Sequence, residues 1–76
     1  MNLSHAIKKI RQKSLLTQEQ FAIEIGVAFS TINRWENGKA VPNITAMKRL
    51  REFCKKSDVS FDEVEEAWFE ASENHK

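Results

Sequence analysis

Apolar residues recur at intervals of three or four along most of this sequence, a spacing that predicts helices with one buried face. The first stripe contains Leu3, Ala6, Ile7 and Ile10, and Asn2 stands where a side-chain cap for the first helix is expected. Alternating apolar and polar runs, which are typical of strands, are missing. The expected fold class is therefore all-α, with five short helices packed into one compact domain.

The second and third predicted helices are separated by a very short connection. Thr17 and Gln20 match the capping box that opens a helix, and Gly26 ends that helix as a left-handed C-terminal residue would. The third helix is expected from about Ala28 to Glu36. Two helices joined this tightly cannot lie antiparallel, so we predict that they cross steeply in a helix-turn-helix arrangement.

Two further helices complete the prediction. Asn43 is expected to cap the fourth helix. The apolar side of that helix carries Ile44, Met47, Leu50 and Cys54. Ser60 and Glu63 match another capping box, which is expected to open the fifth helix. The apolar side of the fifth helix carries Phe61, Val64, Trp68 and Ala71.

Charge divides the chain into two unequal parts. Residues 1–57 contain eleven basic and four acidic side chains, a net charge of +7, whereas residues 58–76 contain one lysine and seven acids, a net charge of −6. No linker interrupts the pattern, so we expect one domain over 1–76, with its core in 3–55 and an acidic C-terminal helix at about 60–73. A basic body favours a polyanionic partner, although an unevenly charged soluble surface would look the same.

Composition excludes several classes of protein. The chain of 76 residues has one cysteine, so it offers no internal disulfide and no cysteine-pair metal site. Its apolar runs are far shorter than the ~18 residues of a membrane span, and its first residues lack a secretion signal. No catalytic triad, paired-carboxylate cleft or phosphate-binding glycine loop is present. We therefore expect a cytoplasmic protein without enzymatic activity, cofactor, metal or membrane partner.

The third helix has the most informative surface. On a helical wheel with Ile32 facing inward, Ala28 and Trp35 fall on the two flanks toward the core. The outward arc carries Phe29, Ser30, Asn33, Arg34 and Asn37. Arginine bonds guanine, asparagine bonds adenine and an apolar group contacts the thymine methyl, so this arc suits the edges of DNA bases. An ordinary solvated helix face has a similar composition, and the arc alone does not separate the two interpretations.

The stretch "LLTQEQFAIEIGVAFSTINRWENGKAVPN" resembles the lambda-repressor-like, Cro/XRE-type helix-turn-helix family. The resemblance covers about residues 3–55 and depends on the combined spacing of many positions. It implies a five-helix bundle that inserts its third helix into the major groove of double-stranded DNA. The implied function is a transcriptional regulator, specifically a prokaryotic or phage repressor that binds a palindromic operator as a homodimer.

The resemblance also implies roles for individual residues. Base contacts are expected from Phe29, Ser30, Asn33 and Arg34. Phosphate contacts are expected from Gln18, Asn37, Gly38 and Lys39. Arg11 and Glu36 match a structural ion pair that ties the first helix to the end of the third, and the helical wheel agrees because Glu36 leans toward the core.

Four positions depart from the family pattern, and one of them, Ile23, lies off the core side of the second helix where the family is usually polar. Leu15 replaces a frequent glycine, so a longer or reshaped turn is expected after the first helix. Ala28 replaces the usual hydroxyl cap of the third helix. Phe29 replaces a polar residue, and its ring either contacts a thymine methyl or packs sideways without touching DNA.

The fifth helix allows two interpretations. Its aromatic residues either close the core of one protomer or extend beyond it, in which case Trp68, Phe69 and Ala71 form a two-fold dimer contact. Its acidic side chains are either a solvated face or a surface for a basic protein. The second option makes the chain an antitoxin in a toxin–antitoxin pair, and a restriction–modification controller fits the same architecture. The genes beside this one would distinguish these alternatives.

Overall fold

A computed structural model describes residues 2–73 of the chain, which form five α-helices and no strand. The helices are α1 Leu3–Lys13, α2 Gln18–Ile25, α3 Phe29–Glu36, α4 Ile44–Ser57 and α5 Asp62–Glu73. The predicted all-α class and the order of five helices are confirmed. The predicted end of the domain at residue 76 lies outside the described residues.

Local side-chain caps open the first, second and fourth helices. The Asn2 Oδ1 atom accepts a hydrogen bond from the amide of His5 at 2.8 Å. At the start of α2, Thr17 and Gln20 each accept from the backbone amide of the other, which is the predicted capping box. Asn43 caps α4 through the amide of Ala46 at 2.9 Å. These helix starts therefore follow from short-range sequence signals.

The predicted capping box at the start of α5 is wrong. The helix begins at Asp62, so Ser60 lies one residue too early to be its N-cap. The Ser60 hydroxyl oxygen instead accepts from the Asp62 amide at 3.3 Å. The Glu63 carboxylate accepts a hydrogen bond from Lys9 Nζ on α1, also at 3.3 Å.

One apolar core joins all five helices. Its buried members are Leu3, Ala6, Ile7, Ile10, Phe21, Ala22, Ile25, Ile32, Trp35, Ala46, Met47, Leu50, Phe53, Cys54, Val64 and Ala67. The prediction for α4 is wrong at Ile44, which is 63% exposed because it is the first residue of the helix and borders a groove with α5. Phe53, which was not on the predicted stripe, lies in the core edge-on to Phe21, with ring centroids 5.3 Å apart.

Leu15 lies in the short turn after α1, where the sequence predicts a longer or reshaped turn. Leu15 takes the left-handed backbone conformation that glycine adopts easily, with φ at 58°. Its side chain is exposed to solvent. A leucine therefore carries the local strain of this left-handed turn.

Helix α1 contacts both α3 and α5, while α2 packs on α3 and α4. Over residues 2–73, none of the helices has both the length and the apolar character needed to cross a membrane.

Candidate nucleic-acid interface

The turn between α2 and α3 determines how α3 is presented. Gly26 has φ at 81°, and its amide and that of Val27 both donate to the Ala22 carbonyl, at 2.8 and 3.0 Å. Arg49 on α4 donates through Nη1 to the Gly26 carbonyl at 2.8 Å. A β-carbon at Gly26 would lie 3.1 Å from that same nitrogen. Glycine is therefore favoured here both by its backbone conformation and by the close approach of Arg49.

Helix α3 has one buried face and one exposed face, as the helical wheel predicts. Ile32 and Trp35 are buried in the core, whereas Ser30 and Arg34 are exposed and Asn33 is half-buried. Phe29 is 49% exposed, so its ring is only partly covered by the protein.

The N-terminal end of α3 lacks a side-chain cap. Ala28 is the N-cap residue, with an extended backbone and no capping hydrogen bond from its side chain. Because it precedes the first helical turn, Ala28 is exposed, and the prediction that it flanks the core is wrong. The missing hydroxyl cap is confirmed.

The C-terminal end of α3 is held by the predicted ion pair. Arg11 Nε lies 2.7 Å from Glu36 Oε2, and Arg11 Nη2 lies 2.9 Å from Glu36 Oε1. The side chain of Glu36 is 2% exposed and that of Arg11 is 13% exposed. The hydrogen bonds to Glu36 raise the pKa of Arg11 above its ordinary value, although burial acts in the opposite direction.

This ion pair changes the electrostatics of α3. Glu36 is the only carboxylate in the helix, and it is buried and neutralised by Arg11. Arg34 remains as the charged side chain on the exposed face. The outward face of α3 is therefore positive and free of acidic groups, which favours a polyanionic ligand.

A chain of side-chain amides leads from Glu36 to the exposed face. Gln18 Nε2 donates to Glu36 Oε1 at 3.0 Å, and Asn33 Nδ2 donates to Gln18 Oε1 at 3.2 Å. Asn37 Nδ2 then donates to Asn33 Oδ1 at 3.1 Å. The sequence interpretation assigned Gln18 to a phosphate and missed these contacts, because they exist only at the crossing angle of α2 and α3.

The loop after α3 is held close to the helix. Lys39 donates its amide to the Arg34 carbonyl at 2.8 Å, and Gly38, with φ at 71°, donates to the Trp35 carbonyl at 3.3 Å. The side chains of Asn37 and Lys39 are exposed. The predicted phosphate-binding residues of this loop therefore lie directly after the predicted base-reading helix.

The three residues predicted to form a dimer contact have different environments. Phe69 is 57% exposed, whereas Ala71 packs against the core. Trp68 is half-buried and donates from Nε1 to the Pro42 carbonyl at 2.7 Å. Trp68 and Ala71 thus contribute to the fold of a single protomer, and Phe69 is the most exposed of the three.

Other chemistry is sparse in the described part of the chain. No group of three or more histidine, cysteine or acidic residues between 2 and 73 is arranged to hold a metal ion. Cys54 is buried in the core, and burial raises the pKa of its thiol to about 11. A thiol held neutral in this way is poorly suited to act as a nucleophile.

Comparison with known proteins identifies the same helix-turn-helix region. The sequence model of the helix-turn-helix family matches residues 7–61. The chain is similar to the HTH-type transcriptional activator BcrR of Enterococcus faecalis, with 33% identity over 64 residues that cover 84% of this chain and 30% of BcrR. It is also similar to multiprotein-bridging factor 1 of Debaryomyces hansenii, with 40% identity over 50 residues that cover 66% of this chain and 33% of that protein.

The chain spans about a third of the length of each of these relatives. The family match nevertheless includes both helices of the helix-turn-helix, the loop after α3 and all of α4. The chain therefore belongs to the Cro/C1-type helix-turn-helix family of DNA-binding transcription regulators.

Proposed function

We propose that this chain binds double-stranded DNA in a sequence-specific manner and represses transcription from a palindromic operator. The observation that carries the proposal is the burial of Glu36 against Arg11, which leaves the outward face of α3 without an acid. A helix with this face suits the major groove, which is lined by phosphates and presents base edges. The family and the name of the relative BcrR, a transcriptional activator, support DNA binding and transcription regulation in general.

In this proposal, α3 reads bases and its surroundings fix the register on the DNA. Arg34 reads guanine, Asn33 reads adenine and Ser30 bonds a neighbouring base edge. The half-exposed ring of Phe29 contacts a thymine methyl. Phosphates are bound by Asn37, Gly38 and Lys39 after α3, and by the amides at the start of α2 beside Gln18.

We also propose that two copies associate through the groove between α4 and α5. The groove has a volume of about 190 Å³ and contains Ile44, Phe61, Trp68 and Phe69 among its lining residues. Lys48 and Arg51 line its α4 side, and Glu65 lines its α5 side. A two-fold contact would pair the basic residues of each copy with Glu65 of the other. To bind a palindromic operator in successive major grooves, such a dimer has to present its two α3 helices about 34 Å apart, one turn of DNA.

The test of DNA binding is selection of duplexes from a random pool at a stated salt concentration, followed by affinity measurements. Arg34→Ala is expected to lower specific affinity by about 1–3 kcal/mol and to relax the preference at one base pair. If the variant selects the same sequences with the same affinity as the parent, Arg34 does not contact the bases.

Lys39→Ala tests the backbone contact separately. It is expected to weaken binding to all sequences alike and to flatten the slope of log K against log salt by about one unit. Lys55→Ala, at the exposed C-terminal end of α4, is the matched loss of charge and is expected to leave the slope near that of the parent. Equal slopes for both variants would show that the loop after α3 does not contact phosphate.

The dimer is tested by sedimentation as a function of protein concentration. Phe69→Glu places a charge in the groove and is expected to shift the equilibrium to monomer. Ile23→Glu is the control, because Ile23 is an exposed apolar residue on α2, outside the groove. A parent chain that remains monomeric at about 100 µM would contradict a stable dimer through this interface.

Repression is tested with a reporter whose promoter overlaps the selected site. The parent is expected to lower transcription because bound protein occupies the DNA that the polymerase requires. Increased transcription from a site placed upstream would identify an activator instead.

A further inference from the structure

The amide chain that begins at Glu36 has a defined direction. A carboxylate accepts hydrogen bonds but cannot donate them, so Gln18 must turn its amino nitrogen toward Glu36 and its carbonyl oxygen away. That oxygen faces Asn33, which must then present its own amino nitrogen to Gln18. The Asn33 carbonyl oxygen is left for the amide of Asn37. The buried Glu36 carboxylate, two hydrogen bonds away through Gln18, therefore sets which atom of the Asn33 amide donates and which accepts.

Arg11 prevents this carboxylate from relaxing. It contacts both oxygens of Glu36 and also donates from Nη1 to the Leu16 carbonyl at 2.9 Å. With Glu36 held on one side by a planar guanidinium, the remaining acceptor position of Oε1 points to Gln18. Rotating the Gln18 amide by half a turn would place its oxygen against a carboxylate oxygen, which is repulsive.

We infer that Glu36, acting through Gln18, fixes the orientation of the nitrogen and oxygen of the Asn33 carboxamide toward the DNA. In that orientation Asn33 specifies adenine. After its bonds to Gln18 and Asn37, Asn33 retains one N–H and one oxygen lone pair. Adenine presents one acceptor and one donor in the major groove. If the positions of its N–H donor and its oxygen acceptor are fixed, the carboxamide matches adenine in one docking geometry. A freely rotating carboxamide can exchange the two positions and fits other arrangements as well.

This inference rests on the proposed DNA binding and gives Gln18 a different role from that expected from sequence. Gln18 becomes a positioning residue for a base contact, because its side chain is engaged inside the protein. Only the second Nε2 hydrogen of Gln18 is left for the expected phosphate contact, and its direction is set by the bonds to Glu36 and Asn33.

The test uses Gln18→Leu, which removes the middle of the chain and leaves the ion pair in place. Selection from a random duplex pool should show that the variant loses adenine preference about tenfold at one position and keeps its preferences elsewhere. Asn33→Ala should lose preference at the same position, and the double variant should lose no more than Asn33→Ala does. Gln12→Leu, at an exposed position on α1, is the control and should select like the parent.

Three outcomes overturn the inference. An unchanged base preference in Gln18→Leu would show that Asn33 does not depend on Gln18. Uniformly weaker binding to all duplexes with an unchanged salt slope would make Gln18 a phosphate contact, because glutamine carries no charge. Failure of the parent to bind any duplex would overturn the proposed function as well, whereas the first two outcomes leave that function standing.

A measurement without DNA checks the chain itself. Nuclear magnetic resonance of the side-chain amides should show the Asn33 NH₂ signals shifting in Gln18→Leu and staying in place in Gln12→Leu. A folded Gln18→Leu protein with unshifted Asn33 signals would also overturn the inference.

Discussion

Helix α1 carries two basic residues, two positions apart, that each pair with a glutamate on another helix. Lys9 reaches Glu63 on α5 through one contact of 3.3 Å, with side chains 37% and 45% exposed. Arg11 grips Glu36 on α3 through two contacts of 2.7 and 2.9 Å, with both side chains largely buried. A single ammonium contact in water contributes little, whereas a buried bidentate pair is sensitive to loss of either partner.

The comparison shows that α3 and α5 are attached to the same helix in different ways. The C-terminal end of α3 is fixed by directed polar contacts that continue to Gln18 and Asn33. Helix α5 meets α1 through the buried Val64 and the exposed Lys9–Glu63 contact, and elsewhere its Trp68 donates one hydrogen bond to the Pro42 carbonyl. Directed contacts constrain orientation more closely than apolar packing does, and α3 is the helix whose orientation decides which bases it meets.

The largest expected effect comes from breaking the buried pair. Glu36→Ala leaves Arg11 with an uncompensated, largely buried charge and is expected to lower the free energy of unfolding by about 3–5 kcal/mol. Urea denaturation monitored by circular dichroism measures the change. The double variant Arg11→Met with Glu36→Leu should recover part of the loss. An unchanged unfolding midpoint in Glu36→Ala would contradict the importance assigned to this pair.

Cys54 differs from both ion pairs, because its ionisable thiol is buried and its pKa is shifted by desolvation. Burial raises the thiol pKa in the folded state from 9.0 to about 11, so the folded state retains its proton to higher pH than the unfolded state. The resulting stability is complete below pH 9 and is lost as pH rises toward 11. At pH 10, which is one unit above the unfolded pKa, the free energy of unfolding is expected to fall by about 1.4 kcal/mol.

Denaturation at pH 8 and at pH 10 tests this expectation, with Cys54→Ala as the reference for the titration of all other groups. The parent should lose more stability than Cys54→Ala over this interval. Parallel losses in the two proteins would mean that the thiol titrates normally in the folded state.

The bare N-terminal end of α3 offers a gain in stability. Ala28→Ser would supply the side-chain oxygen that Ala28 lacks and is expected to raise the free energy of unfolding by about 1 kcal/mol. Ala28→Val is the control, because it adds volume without a capping oxygen. Equal stability of the serine and valine variants would show that the amides at this end need no further acceptor.

The strained turn beside Arg11 offers a slightly smaller gain. Leu15→Gly relieves a left-handed leucine but increases the freedom of the unfolded chain, so we expect a net gain of about 0.5–1 kcal/mol. Asp58→Gly is the matched change at φ 56°, where aspartate is better tolerated, and it should gain less. Thermal unfolding of the two variants gives the comparison, and a larger gain at Asp58 would contradict it.

The smallest expected effect comes from the exposed pair. Glu63→Ala is expected to change the free energy of unfolding by less than about 0.5 kcal/mol, and the change should shrink further in high salt. Denaturation at low and high salt measures both. If Glu63→Ala lowers the free energy of unfolding as much as Glu36→Ala does, the exposed pair is as important to stability as the buried pair.

Local signals in the sequence predicted most of the fold. Asn2, Thr17 and Asn43 act on amides within three residues of themselves, so their capping roles were readable without tertiary structure. The left-handed Gly26 belongs to the same class. The predictions failed at Ser60 and Ile44, where the exact start of a helix, rather than its periodicity, determines what a side chain meets.

The candidate site was predicted in part. The exposed Ser30 and Arg34 and the buried Ile32 follow from helical periodicity and lie as expected. The Arg11–Glu36 pair was expected from family resemblance, and the geometry confirms it. The contacts of Gln18 were not predictable, because they join residues 15 and 18 positions apart in sequence.

The sequence by itself therefore determined the five helices, most of their caps, the turn at Gly26 and the identity of the exposed residues on α3. These depend on periodicity and on hydrogen bonds between near neighbours. The tertiary structure decided how α3 is held: it buried Glu36 against Arg11, tied Gln18 to Asn33 and required Leu15 to take a left-handed turn. Those features depend on the crossing of helices, because partners distant in sequence meet only once the helices are packed.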